Sequence, residues 1–183
     1  MPNIESLIRD AQNGDSEAFA MLYEEYVGKV YRYIYLRVKQ VEEAEDLTQE
    51  VFLKALKGMD SYCEQGALFV SWLFRIAHNL VIDYYRKQKV RQVNWLSGAV
   101  EGVSATAIGD DPVLTTEQHM EGVELKQAVD KLSPQGREVI SLRFGAELSV
   151  SETARVMGKT EGTVKKLQHE ALAKLRKVMN KSV

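Results

Sequence analysis

A chain of 183 residues, 45% of them hydrophobic, can form one domain or two small ones, each with a core of modest size. Its single cysteine, Cys63, excludes an internal disulfide and fits a reducing cytoplasm. The net charge of −2 hides a division: residues 125–183 carry twelve Lys/Arg against six Asp/Glu, or +6, which leaves −8 for residues 1–124 and implies two partners of different chemistry.

The polar opening MPNIESLIRD is not a secretory signal, and no apolar run approaches a membrane span, so a cytoplasmic protein without membrane insertion is expected. His78, His119 and His169 are scattered without metal-ligand spacing, and there is no Gly-rich phosphate loop or nucleophile elbow. No metal, no cofactor and no catalytic residue are expected.

Ile4, Leu7, Ile8 and Ala11 repeat at helical spacing until Asn13-Gly14. Asp15 then caps a long core helix through Phe19, Leu22, Tyr23, Tyr26, Val27, Val30, Tyr31, Ile34, Tyr35 and Val38, its four tyrosines packing with wet hydroxyls. The next helix, about Glu42 to Lys57, has a thin stripe of Ala44, Leu47, Val51 and Ala55. Its other face gathers Asp46, Gln49, Glu50 and Leu53, with Phe52 expected to be exposed nearby. Carboxylates at a helix start can serve the dipole alone; mixed with exposed apolar residues they also suit a protein-binding face.

Gly58 ends that helix, and Ser61 to Gly66 reads as a loop. A third helix is predicted from about Leu68 to Lys87, burying Phe69, Leu73, Ile76, Ala77, Leu80 and Tyr84 with Trp72 beside them. It exits into the basic run Arg86 to Arg91 next to Tyr84 and Tyr85. This is either a solvated helix end or a surface for stacking on bases and pairing with phosphates. No Lys or Arg then occurs until Lys126, while acidic residues, Gly, Ser and Thr accumulate. A flexible acidic linker is expected over residues 93–124, between domains at 1–92 and 125–183.

In the second domain Ser133 and Pro134 start a helix from Gln135 to Phe144 that buries Val139, Ile140 and either Leu142 or Phe144. Ser149 with Glu152 forms a capping box, and Gly158 suits a left-handed helix end. Thr160 caps the next helix, whose buried stripe is Val164, Leu167, Ala171 and Leu175. Small Ala154 lets the two helices touch while Val164 fills their angle, as in a helix-turn-helix. Thr163, Lys165, Lys166 and His169 fall off the stripe near the end that would enter a groove. A plain helical hairpin remains the alternative, in which Lys174, Arg176 and Lys177 only complement the dipole.

The ordered segments EEAEDLTQEVFLKAL, FVSWLFRIAHNLVIDYYRKQ, LSPQGREVISLRF and LSVSETARVMGKTEGTVKKLQHEALAKLR resemble a bacterial sigma factor of the extracytoplasmic-function (ECF) type. The resemblance covers nearly the whole chain outside the linker. It implies an all-α protein of two helical domains that binds RNA polymerase core enzyme and promoter DNA. Asp46, Gln49, Glu50 and Phe52, with Leu53 beside them, would dock on the polymerase. The loop from Tyr62 to Gly66 with Trp72 and Asn79 would hold a flipped base of the −10 element, and Arg86, Lys87 and Lys89 its backbone. Thr160, Thr163, Lys165, Lys166 and His169 would read the −35 element, with Arg137 on a phosphate. Lys159 stands at a turn position often apolar in helix-turn-helix proteins, and Glu170 where many relatives carry a basic residue. With nothing after Val183, a separate anti-sigma protein is the expected regulator, and the free chain is expected to be a monomer.

Two rivals remain at this stage. A free-standing helix-turn-helix regulator should carry an α/β receiver domain, which the helical N-terminal pattern does not offer. An enzyme using Asp46 and Glu50 as a catalytic or metal-binding pair lacks third and fourth ligands at helical spacing.

Overall fold

The computed structural model describes residues 3–63, 68–97 and 128–179, with residues 91–97 and 179 described as backbone alone. Every regular element among them is helical. The expected acidic linker and residues 64–67 of the loop lie outside the described residues.

Helix α1 (Ile4–Gln12) is capped by Asn3, whose side chain accepts from the Glu5 N–H. Helix α2 (Ser16–Val38) starts on Asp15, whose Oδ1 accepts from the N–H groups of Glu17 (2.9 Å) and Ala18 (3.2 Å). It stops at Lys39, a non-glycine residue at φ 63°. Helix α3 (Val41–Gly58) runs into a 3₁₀ turn at Met59–Ser61. Helix α4 (Phe69–Ser97) continues well past the expected exit near Lys87. The basic run supplies no apolar stripe to mark it, but Lys, Gln and Arg are good helix formers.

The α2–α4 core holds Leu22, Val30, Ile34, Val51, Leu73, Ala77 and Val81, each buried, and each such aliphatic side chain beyond Ala contributes about 1.5–3 kcal/mol of transfer free energy. Two expectations about this core need correcting. Phe52 is not an exposed docking residue: it is 5% exposed and meets Tyr23 edge-on at 4.7 Å. Tyr33 and Phe74, outside both predicted stripes, are fully buried and pack edge-to-face. Both helices are gripped on more than one side, so a single apolar stripe understates what they bury.

In the second domain Ala128, Val129 and Leu132 are buried with Ile140, Ala171 and Leu175, and Ser133 Oγ accepts from Gly136 N–H, with Pro134 opening α5 (Pro134–Ile140). A π-helical turn at Ser141–Gly145 replaces the last turn of the predicted helix. It buries Leu142 and leaves Phe144 53% exposed. Helices α6 (Val150–Met157) and α7 (Glu161–Met179) follow. Val139, Ala154 and Val164 form the wedge between α5, α6 and α7, as the spacing predicts.

The two domains are packed on each other. Leu142, Ala146, Leu148 and Val156 belong to the same buried cluster as the α2–α4 core. The π-turn comes so close to α2 that a Cβ on Gly145 would lie 2.8 Å from Leu36 Cδ1.

Candidate nucleic-acid interface

The helix-turn-helix is built from local hydrogen bonds that the sequence dictates. Ser149 Oγ accepts from Glu152 N–H (3.1 Å), and Glu152 Oε2 accepts from Ser149 N–H (2.7 Å). Gly158 sits at φ 62°, where a residue with Cβ would be strained, and Lys159 N–H closes the turn on Ala154 O at 2.9 Å. Thr160 Oγ1 accepts from Thr163 N–H (3.2 Å) and lies 2.9 Å from Thr163 Oγ1. Both hydroxyls therefore serve the cap while remaining exposed at the tip of α7.

With Val164, Ala171 and Leu175 turned inward, Lys165, Lys166 and His169 are exposed on the outer face of α7. Lys166 lies 3.9 Å from Glu170, a solvent-exposed i,i+4 pair that holds it weakly. Arg137 is half-buried, and its guanidinium donates to Asp130 O (2.9 Å), which braces the start of the domain.

On α4, Asn79, Arg86, Lys87 and Lys89 are exposed along the outer side, and Arg86 pairs with Asp83 at 3.0 Å. Tyr62 and Trp72 are placed otherwise than expected. Tyr62 is 7% exposed and packs with Phe69 and Trp72, ring centroids 5.8 and 5.0 Å away. Gln12 Nε2 donates to Tyr62 O at 2.6 Å. Tyr62 is thus a packing residue, and half-buried Trp72 is its partner.

A third surface is acidic. Asp46, Gln49, Glu50 and Leu53 are all exposed on α3. Asp46 and Glu50 line an open cleft with Leu80, Asp83, Tyr84 and Lys87 of α4. Among the described residues no group of three His, Cys, Asp or Glu could hold a metal ion. No described helix is long and apolar enough to cross a membrane.

One polar cluster has no sequence signal beyond a Glu beside buried Val139. Glu138, 4% exposed, accepts from Tyr33 OH (2.7 Å), pairs with His78 Nδ1 (2.8 Å) and forms an ion pair with Arg37. Burial drives the Tyr33 phenol far above its ordinary pKa, so it stays a donor. Burial also lowers the pKa of His78, and Arg37 and Arg75 lower it further, favouring a neutral imidazole that donates through Nδ1.

A helix-turn-helix with an exposed basic face, joined to a helical domain with an acidic face and a basic helix edge, defines a DNA-recognition protein with a second, non-DNA partner. Known families agree. Residues 22–91 match the model for Sigma-70 region 2 and residues 128–177 that for Sigma-70, region 4. The chain is 41% identical over 173 residues to the ECF RNA polymerase sigma factor BldN of Streptomyces coelicolor, covering 94% of this chain and 64% of BldN. It is 35% identical to the ECF RNA polymerase sigma factor SigW of Bacillus subtilis, covering 95% of each. In fold it is similar to CnrH in complex with the cytosolic domain of CnrY (TM-score 0.73, 22% identity, 97% of each chain). It is also similar to RpoE in complex with the anti-sigma factor NepR from Bartonella quintana (TM-score 0.69, 23% identity, 88% of this chain and 96% of that one).

The chain belongs to the sigma-70 family and is an ECF sigma factor, of the class of alternative sigma factors that direct promoter-specific transcription initiation. Sigma factors are DNA-recognition proteins and not catalysts.

Proposed function

We propose that this chain binds RNA polymerase core enzyme through the exposed acidic face of α3 and recognises promoter DNA through α7 and the outer side of α4. The observation that carries the reading is the presence on one chain of a capped, basic helix-turn-helix and an exposed Asp46–Gln49–Glu50–Leu53 face that its own core does not use. Asp46, Gln49, Glu50 and Leu53 contact the polymerase, while Phe52 supports their helix from inside. Asn79, Arg86, Lys87 and Lys89 meet the −10 strand, with Trp72 and Tyr62 shaping the platform below. Thr160, Thr163, Lys165, Lys166 and His169 meet the −35 duplex. The chain acts in the cytoplasm, performs no covalent chemistry itself, and takes a separate anti-sigma protein as a further partner. Co-elution of the full chain with core enzyme on gel filtration tests the reading; a chain that elutes alone at micromolar concentrations of both proteins refutes it.

The DNA face has its own test. Lys165→Ala with Lys166→Ala should weaken binding to the −35 duplex and flatten the salt dependence by roughly 2 units of slope, about 0.9 per phosphate contact. Unchanged affinity and slope would assign the groove to another face of the domain.

A further inference from the structure

Helix α7 is held mainly by contacts that do not fix its rotation. Thr160 caps its N-terminus, and Val164, Ala171 and Leu175 bury a stripe along it. Apolar packing is non-directional, and the middle of this stripe is the small Ala171, so the turn of the helix about its own axis is loosely set. One directional contact supplies the rest. Arg143, half-buried on the π-helical turn, donates from Nε to Gln168 Oε1 at 3.0 Å. Its Nη1 donates to Leu148 O, immediately ahead of the Ser149 cap of α6. A guanidinium presents its donors in a rigid fork, so one side chain ties the entry to α6 and the middle of α7 to the π-turn. Gln168 lies four residues after Val164 and three after Lys165. It therefore stands on the flank between the buried stripe and the exposed edge of Lys165 and His169.

Resting on the promoter reading above, we propose that Arg143 is a positioning residue for −35 recognition: through Gln168 it sets the angle at which α7 presents Thr163, Lys165, Lys166 and His169 to the groove. With side chains a helix is about 10–12 Å across, so a turn of about 20° about its axis carries a surface group through about 2 Å. Recognition groups must be held to within about 0.5 Å and 10–20°, and a hydrogen bond to a base edge is lost well inside a 2 Å shift. Phosphate contacts tolerate more, because Lys is a point charge on a flexible stem and carries no sequence information where it lands. Loosening the Arg143–Gln168 bond therefore costs discrimination between sequences and leaves the electrostatic attraction in place. A direct role has another signature. Were Arg143 to bind a phosphate itself, removing its charge would weaken every sequence alike and flatten the salt dependence by about 0.9 units of slope.

Two full-length variants, each bound to core enzyme, test this role. Arg143→Met keeps an apolar stem but removes the charge and the donors. Gln168→Leu keeps much of the volume, removes the acceptor, and leaves Arg143 bonded to Leu148 O. Should Arg143→Met fail to fold, Gln168→Leu carries the test alone. Binding is measured on a promoter fragment that the wild-type chain opens with core, and on the same fragment with its −35 element scrambled. The ratio of the two dissociation constants should fall about tenfold in either variant, while the affinity for the scrambled fragment and the salt slope stay at wild-type values. The double variant should lose no more than either alone, because both act through one bond. Gln168→Glu, which keeps an acceptor for Nε, should retain the wild-type ratio. Variants that keep the full ratio overturn the proposal. So does an Arg143→Met variant that binds both fragments equally more weakly with a flatter slope, or one that loses the ratio while Gln168→Leu keeps it, since Arg143 then acts without Gln168. A wild type indifferent to the scramble overturns the −35 reading itself, whereas a wild type that discriminates beside variants that do so equally well sinks only the role of Arg143.

Discussion

Replacing Asp46 and Glu50 by Ala should lower the affinity for core enzyme by about 10- to 100-fold while leaving the melting temperature within a few degrees of wild type. The two halves of this expectation have separate causes. Neither carboxylate is among the buried residues of α3, which are Ala44, Leu47, Thr48, Val51, Phe52 and Ala55. The first helical turn carries Glu42 and Glu43, whereas Asp46 and Glu50 lie one and two turns further on, where the dipole has little effect. Glu50 faces Lys54 at 3.7 Å in an exposed i,i+4 pair, the kind that contributes little to folding. Their removal therefore costs the fold little, and on the proposed reading it takes away contacts to polymerase. Phe52→Ala is the opposite control: it removes a buried ring packed on Tyr23 and should cost about 3–5 kcal/mol of stability. Binding by titration and melting by circular dichroism separate the cases. A double carboxylate variant that melts early yet binds core normally would make these groups structural.

What could be read from the sequence was what is decided within a few residues. Asp15, Ser133, the Ser149–Glu152 box, Gly158 and Thr160 all stand where local chemistry puts them, because a cap is satisfied by groups two or three positions away. The wedge of Ala154 and Val164 was legible for the same reason. Phe52, Tyr33 and Phe74 were not, since their burial is decided by helices that arrive from elsewhere in the chain. Tyr62 reads as a loop aromatic because its partners Phe69 and Trp72 belong to the next helix, to which periodicity does not relate it. The Glu138 cluster was the least visible. Tyr33 is 105 residues away and His78 60, so no window on the sequence brings them together. The resemblance implies a phosphate contact for Arg137, and nothing in the sequence near it signals its bond to Asp130 O.

The largest effect expected is all-or-none: the free chain should bind a promoter fragment poorly and in a salt-sensitive way, and should open it only with core enzyme. A single helix-turn-helix without a dimer partner makes few contacts, and most of those go to phosphate. The −8 carried by residues 1–124 repels DNA further until polymerase covers part of it. Opening is harder still. Unstacking about ten base-pair steps costs on the order of 14 kcal/mol, while each captured base returns about 1–3 kcal/mol. Asn79, Arg86, Lys87 and Lys89 cannot hold enough bases to cover that difference alone. Core enzyme changes the sum by engaging α3 and holding the α4 and α7 surfaces at the spacing of the two elements, so that each weak contact raises the effective concentration of the other. A gel shift and a permanganate footprint on one promoter, each with and without core, give the result. The shift should be faint and lost by moderate salt without core, and reactive thymines should appear only with it. Tight, sequence-specific binding by the free chain, not improved by core, would make the protein a free-standing regulator, since such binding needs no second surface and leaves the acidic face of α3 without a use.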